Sequence, residues 1–150
     1  MPVTYSFADV VCSISGPGGT FSLSEANVAD EGITIEMSDD KSTMTTGATR
    51  GGMHSLHESR AGRITIRLLK NSPANRLLTD LYRYQTQSSA YFGQNTISLS
   101  NPVWQDDHVC AQCAFVRMPT NNNAKDGGTM EWTFNSLDID SVLGDGIAVL

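Results

Sequence analysis

The sequence predicts a mainly β protein: a β-sandwich or partly rolled barrel with one flanking α-helix and a long extended loop or hairpin arm. Several segments alternate apolar and polar residues, which is the pattern of half-buried strands. Gly, Pro and Asn residues that favour turns separate these segments, and one stretch has apolar residues at helical spacing. We expect residues 1–150 to form a single domain, because 150 residues suffice for one core and little more.

The composition favours a surface that partner proteins cover. Charged residues make up 17% of the chain, a low fraction for a soluble domain, and charge is depleted at the core of protein interfaces. The formal net charge is −6, which argues against nucleic-acid binding because phosphate contacts need Lys and Arg.

The cysteines and the N-terminus indicate the compartment. Three cysteines, an odd and small number, do not make a disulfide framework. The first residues lack a basic region followed by an apolar run, so we expect no signal peptide, and no run of 18 apolar residues predicts a membrane span. We therefore expect synthesis and folding in a reducing cytoplasm.

The chain is organised around two strands, predicted over residues 32–37 and 63–70. In the second, Ile64, Ile66 and Leu68 share one face while arginines take the other. The outward Glu36, Arg63 and Arg67 are predicted to pair across strands or with a neighbouring subunit. Further strands are predicted over residues 3–15 (with or without a bulge), 20–23, 95–100, 109–118 and 129–135. A turn is predicted at 16–19, and the tail, 136–150, is interpreted as a short turn or a swapped arm.

The helix is predicted over about residues 73–86. Ser72 or Asn71 can cap it, and Pro73 suits the first helical position. It is expected to cover an open face of the sheet and to fray from Gln85 onward. Its apolar stripe consists of Leu77, Leu78, Leu81 and Tyr82.

Cys110-x-x-Cys113, with His108 beside it, is the sequence's nearest approach to a metal motif. In the predicted strand, Val109, Ala111, Cys113 and Phe115 share a face, so Cys110 points to the other one. One ion could not easily bind both thiols, and a redox pair is disfavoured for the same reason. The acidic pairs are typical of solvated loops, and no nucleophile motif is present. We predict no catalytic residue, no metal site and no cofactor.

Between the two central strands lies a polar segment, residues 38–62. A connection of this length in a compact domain is commonly functional or disordered, although residues 43–46 could form a strand of an extended hairpin. We expect it to be an inter-subunit or ring-stacking arm whose contact residues are Met44, Met53, His54, Leu56 and His57. A pH switch or metal site at the two histidines is the less favoured reading.

Five segments together resemble a known family: EGITIEM (31–37), MHSLH (53–57), IRLLKNSP (66–73), SISGPGG (13–19) and GGTMEW (127–132). They resemble bacteriophage structural proteins regarded as tail tube proteins, of the contractile-tail type, over about Tyr5 to Gly144. No single motif is diagnostic, and the resemblance depends on the ordered set.

The resemblance implies a virion structural protein without enzymatic activity, located in the tail and assembled in the host cytoplasm. It implies homo-hexameric rings that stack into a tube, through which the genome passes without specific binding. The implied partners are further copies of the chain and the tail sheath, tape-measure and baseplate or terminator proteins, with no membrane.

Two alternatives remain open. The first is the tube subunit of a phage-like contractile injection device, or a tail terminator or initiator protein, because these share the sandwich-plus-helix plan. The second is a small ligand-binding β-sandwich, which predicts a stable monomer with a saturable ligand.

Overall fold

A computed structural model describes residues 4–6, 10–23 and 28–144, with the backbone alone for 28–31. The described residues form nine strands and one α-helix. In chain order these are β1 (Val11–Gly16), β2 (Gly19–Ser22), β3 (Val28–Met37), β4 (Ser42–Thr46), β5 (Gly52–Leu56), β6 (Gly62–Leu69), α1 (Ala74–Gln85), β7 (Asn95–Asn101), β8 (Asp106–Phe115) and β9 (Thr129–Val142).

Seven strands form one antiparallel sheet in the order β2-β1-β7-β8-β9-β6-β3, and β4 and β5 form a separate two-stranded hairpin. The sheet has a buried face and an exposed face, and it does not close into a barrel. The predicted mainly β class, with one helix against a sheet, is therefore confirmed.

Strand alternation explains the core. In β6, Ile64, Ile66 and Leu68 are fully buried, as predicted, and they lie beside inward residues of β9. Phe134 is opposite Ile64, and Trp132 is opposite Ile66. Replacing one such leucine or isoleucine with alanine would cost about 2–5 kcal/mol of unfolding free energy.

Helix α1 packs on this core, as predicted. Leu78 and Leu81 are buried, and the Tyr82 ring meets Phe115 edge-on at 5.4 Å. Trp132 donates from Nε1 to Asn75 Oδ1 at 3.1 Å, which ties the helix to β9. No helix among the described residues is long and apolar enough to cross a membrane.

Two details of the helix differ from expectation. Pro73 is the N-cap residue rather than the first helical residue, and the Ser72 hydroxyl accepts a bond from the Ala74 amide at 3.3 Å. Leu77 of the predicted apolar stripe is 46% exposed. Gln85, expected to fray, is fully buried because its amide has buried partners.

Several predicted strand bounds were wrong. The first strand begins at Val11; residues 4–6 and 10 are not in a strand, and 3 and 7–9 lie outside the described residues. β3 begins at Val28 instead of 32, and β8 spans 106–115 instead of 109–118. β9 continues through Val142, so the expected tail begins as strand over residues 136–142, while 145–150 lie outside the described residues.

The predicted faces of β8 were also wrong. Asn95 and Ile97 of β7 pair with Cys113 and Cys110, so β8 has one more residue than β7 in this stretch. Gln112 takes up the extra residue with φ of 54°, the geometry of a β-bulge. As a result, Cys110 and Cys113 are both buried on the core side, and Val109 is exposed.

Candidate assembly surfaces

The segment predicted as an extended loop or hairpin arm is a hairpin. β4 and β5 pair from Ser42 opposite Leu56 to Thr46 opposite Gly52. Every residue of β4 is exposed, and so are four of the five in β5. We call residues 42–56 the hairpin arm. A lone two-stranded hairpin is marginally stable in water.

The base of the hairpin arm is fixed to the sheet. Arg60 forms a salt bridge with Asp138 at 2.7 Å, and its carbonyl accepts a bond from the Ile139 amide at 2.9 Å. The Ser38 amide donates to the Ala61 carbonyl at 3.0 Å. The arm therefore begins and ends at a defined place beside the C-terminal half of β9.

The two faces of the arm differ in chemistry. Met44 lies directly opposite His54, and Leu56 is a diagonal neighbour of Met44 on the same face. The other face carries Thr43, Thr45, Met53 and Ser55, and the Thr43 hydroxyl is 3.2 Å from His57 Nε2. Met44, Met53 and Leu56 are 64%, 61% and 77% exposed. The five residues predicted for the arm thus divide between two faces.

The predicted charged residues lie on the exposed face of the sheet. The register places Glu36 of β3 opposite Arg63 of β6. Arg67 donates from Nη1 to Thr34 Oγ1 at 2.9 Å and approaches Glu131 at 4.0 Å. Exposed pairs of this kind contribute about 0.2–1 kcal/mol.

A second exposed surface emerges only when the strands are assembled. Across β2, β1, β7, β8 and β9, ten outward positions carry short hydroxyl or carboxylate side chains, which we call the hydroxyl face. Small apolar residues lie between them on the same side of the sheet, namely Val11, Val109, Ala111 and Val142. The pairings that align the hydroxyl face include Ser13 with Ser22, Ser13 with Ser98, and Ser100 with Asp107. Its members are Ser13, Ser15, Thr20, Ser22, Thr96, Ser98, Ser100, Asp107, Asp138 and Asp140.

The hydroxyl face has carboxylates but no cationic residue. None of the ten Lys and Arg residues of the chain lies in β1, β2, β7, β8 or β9. Arg60, from outside these strands, reaches Asp138 at one edge. The surface is therefore acidic, and its side chains are short.

The three thiols, Cys12, Cys110 and Cys113, are buried in the core and protonated at neutral pH. Burial raises the pKa of Cys12 and Cys110 from 9.0 to about 12, and it also raises the pKa of Cys113. A thiolate is the form that attacks disulfides and binds metals. Within the part of the chain that the structure describes, no group of three or more His, Cys, Asp and Glu side chains could hold a metal ion.

Comparisons with known proteins find similar folds among solved structures. One solved structure of similar fold is a chain of the anti-feeding prophage cap, the tube terminating cap, with 10% identity, TM-score 0.53, and 96% of this chain and 95% of that chain covered. Another comes from the anti-feeding prophage baseplate, with 8% identity, TM-score 0.56, and coverage of 95% and 97%.

A third comes from the extended sheath–tube complex of an extracellular contractile injection system, PVC, with 10% identity, TM-score 0.52, and 88% of each chain covered. At such identities these likenesses show the fold alone. No curated protein matches the sequence.

The sequence matches a family model over residues 2–144, nearly the whole chain. That model is described as the bacteriophage PhiTE tail tube protein. The match confirms the resemblance, and it confirms a structural protein rather than an enzyme. The chain belongs to the PhiTE tail tube protein family and is a tail-tube-type structural protein of the virion tail.

Proposed function

We propose that the chain assembles into hexameric rings, that the rings stack into a tail tube, and that the hydroxyl face lines its channel. The family match supports the assembly of a tube. The hydroxyl face is the observation that supports its role as the channel lining. Nucleic acid binds protein chiefly through cations that neutralise phosphates. The five strands of this wall contain no Lys or Arg, and Arg60 at its edge is paired with Asp138, so a polyanion passes without being held.

The hairpin arm supports the assembly part of the proposal. Ring and stack contacts in an obligate assembly commonly bury about 2,000 Å² or more, which a small body reaches by extending arms. The arm has exposed Met44, Met53 and Leu56 available for burial on a neighbour. His54 and His57 accompany them as contact residues, and Glu36, Arg63 and Arg67 supply charged contacts at the edge of the interface.

The proposed partners follow from the same assembly. Copies of the chain meet each other in rings and stacks, and the completed tube meets a sheath, a tape-measure protein and a baseplate or terminator protein. We propose assembly in the host cytoplasm. The structural likeness to a chain of an extracellular contractile injection system favours a contractile tail.

A second candidate is a tube-capping or tube-initiating subunit, or a tube subunit of a contractile injection device. The likeness to the tube terminating cap and to the baseplate favours it. A capping or initiating subunit would form one ring of fixed size without growing into long tubes. A tube subunit of an injection device would also form long tubes, and only its host system would distinguish it from a tail tube subunit.

Electron microscopy of the purified protein at increasing concentration, with light scattering for mass, tests the proposal. We expect six-fold rings with a central hole that stack into tubes. Single rings that never stack would favour the capping subunit. A strict monomer with a rigid hairpin arm would instead favour a ligand-binding sandwich.

A further inference from the structure

We propose that the Met44–Leu56 face of the hairpin arm docks in an uncharged groove of a second copy of this chain. The groove lies at the start of β7, beside the β8 bulge. This inference rests on the proposed assembly and names the surface that receives the arm. Its lining includes Phe92, Ala114 and Leu137, with the amides of Gln94, Gln112 and Asn135 around them.

The groove has apolar surface that is exposed to solvent. Leu137 is 68% exposed and Phe92 is 41% exposed, and the groove encloses about 440 Å³. Exposed apolar side chains that gather in one place mark interaction sites more often than scattered ones do. The bulge at Gln112 helps form the groove, since it turns that side chain out of the sheet.

Charge selects this groove for the arm. Neither β4 nor β5 contains an Asp, Glu, Lys or Arg residue, and the groove lining is also uncharged. Four other grooves formed by the described residues each include a charged residue, among them Asp106, Glu131, Arg63 and Asp39. Docking an apolar face there would remove charged groups from water without giving them a new polar partner, which is costly.

The amides of the groove complement the backbone of the arm. Each strand of a two-stranded hairpin has one edge whose N–H and C=O groups lack a strand partner. Gln94, Gln112 and Asn135 carry both donors and acceptors. They can bond an arm strand edge while Met44 and Leu56 pack on Phe92 and Leu137.

We infer a second copy as the occupant because the proposed tube places identical chains side by side, and the uncharged strands of the arm match the uncharged groove. The arm does not cover its own groove, since its residues are exposed. A contact that joins two different surfaces is head-to-tail, and it repeats from copy to copy until a ring closes or a filament grows.

Engineered cysteines test the contact. The native thiols are buried, so Met44→Cys combined with Leu137→Cys in one chain provides the two accessible thiols. Mild oxidation of concentrated protein should give a ladder of disulfide-linked copies on a non-reducing gel. The matched control is Met53→Cys with Leu137→Cys, because Met53 has similar exposure but lies on the opposite face. Disulfide geometry is strict, so we expect about tenfold less ladder from the control.

The outcomes separate this inference from the proposed function. Tubes that give no ladder, or an equal ladder from the control, would overturn the docking site and leave the tail tube proposal standing. Neither tubes nor ladder would count against both. A ladder without six-fold rings would support the docking and contradict the ring.

A mixing experiment checks the head-to-tail geometry. Met44→Ser with Leu56→Ser disables the arm, and Leu137→Ser disables the groove. Each variant should keep its fold, because all three side chains are exposed. Each should stay monomeric alone, because its docking contact is lost. Mixed together, they should form dimers that grow no further, because one good contact remains. Unimpaired assembly of either variant alone would contradict the proposal.

Discussion

The side-chain amides of Gln85 and Asn95 exchange two hydrogen bonds. Gln85 Nε2 donates to Asn95 Oδ1 at 2.6 Å, and Asn95 Nδ2 donates to Gln85 Oε1 at 2.7 Å. Both residues are fully buried, and their remaining donors reach the carbonyls of Pro17 and Cys113. One buried amide pair thus ties the end of α1 to the first hairpin and to the start of β7 and the β8 bulge.

Breaking this amide pair should destabilise the fold measurably. Gln85→Met keeps the volume but leaves Asn95 groups unpaired in the core, which should cost about 1–3 kcal/mol of unfolding free energy. Asn95→Leu should cost a similar amount. Because the two residues satisfy each other, the double variant should lose less than the sum, by about 0.5–3 kcal/mol. Urea unfolding measures all four proteins, and strict additivity would contradict the pairing.

Gly16 should not tolerate a side chain, whereas Gly19 should. A Cβ at Gly16 would collide with Asn95 Oδ1, while a Cβ at Gly19 would meet nothing within 4 Å. We expect Gly16→Ala to cost about 1–3 kcal/mol of unfolding free energy, as overpacking does. Gly19→Ala in the same hairpin is the control, and its thermal unfolding should match that of the parent. Equal stability of the two variants would show that the Gln85–Asn95 pair moves freely.

The strands and the helix could be predicted because their signals are local. The alternation of Ile64, Ile66 and Leu68 is visible within one segment, and so is the spacing of Leu78 and Leu81. The family, and with it the tube-type structural role, followed from an ordered set of short segments that the family match confirms.

The predictions that were wrong concern features that depend on distant parts of the chain. The bulge at Gln112 is set by how β8 pairs with β7, so its effect on the two thiols could not be read from β8 alone. Gln85 looked like a fraying end because its partner Asn95 lies beyond a loop. β9 runs past Ser136 although Leu137 and Val142 are exposed, which breaks the expected alternation.

The candidate surfaces show the same division. The hairpin arm was found from its length and polarity, and the pairing of Met44 with His54 needed the structure. The hydroxyl face could not be found in the sequence, because its members come from five strands whose order is not written in any one of them.

The buried thiols predict how stability changes at high pH. The folded-state pKa of Cys12 and Cys110 is raised to about 12, so the folded protein keeps protons that the unfolded chain releases above about pH 9. Their contribution to stability is complete below pH 9 and is lost as the pH rises toward 12. Urea unfolding at about pH 8 and about pH 10 should show a smaller loss for Cys12→Ala than for the parent. Equal losses would mean that Cys12 is accessible to hydroxide.

Hydrogen exchange should show the hairpin arm ordering upon assembly. In the free monomer, the exposed arm amides of residues 42–56 should exchange much faster than those of the buried strand β6, because an isolated hairpin opens readily. In the assembled tube, docking on a neighbour should slow hydrogen exchange of the arm amides, because the docked arm is ordered and opens rarely. Mass spectrometry of peptides from both states measures this.

A variant at the base of the arm provides a further test by the same exchange measurement. Arg60→Ala removes the salt bridge to Asp138, whose two side chains are each 49% exposed, so unfolding free energy should change by less than about 1 kcal/mol. The variant should nevertheless exchange faster around the base in the monomer, because the arm loses an anchor. Arm amides that are already protected in the free monomer would contradict the proposed ordering, and they would indicate a rigid domain that needs no second copy.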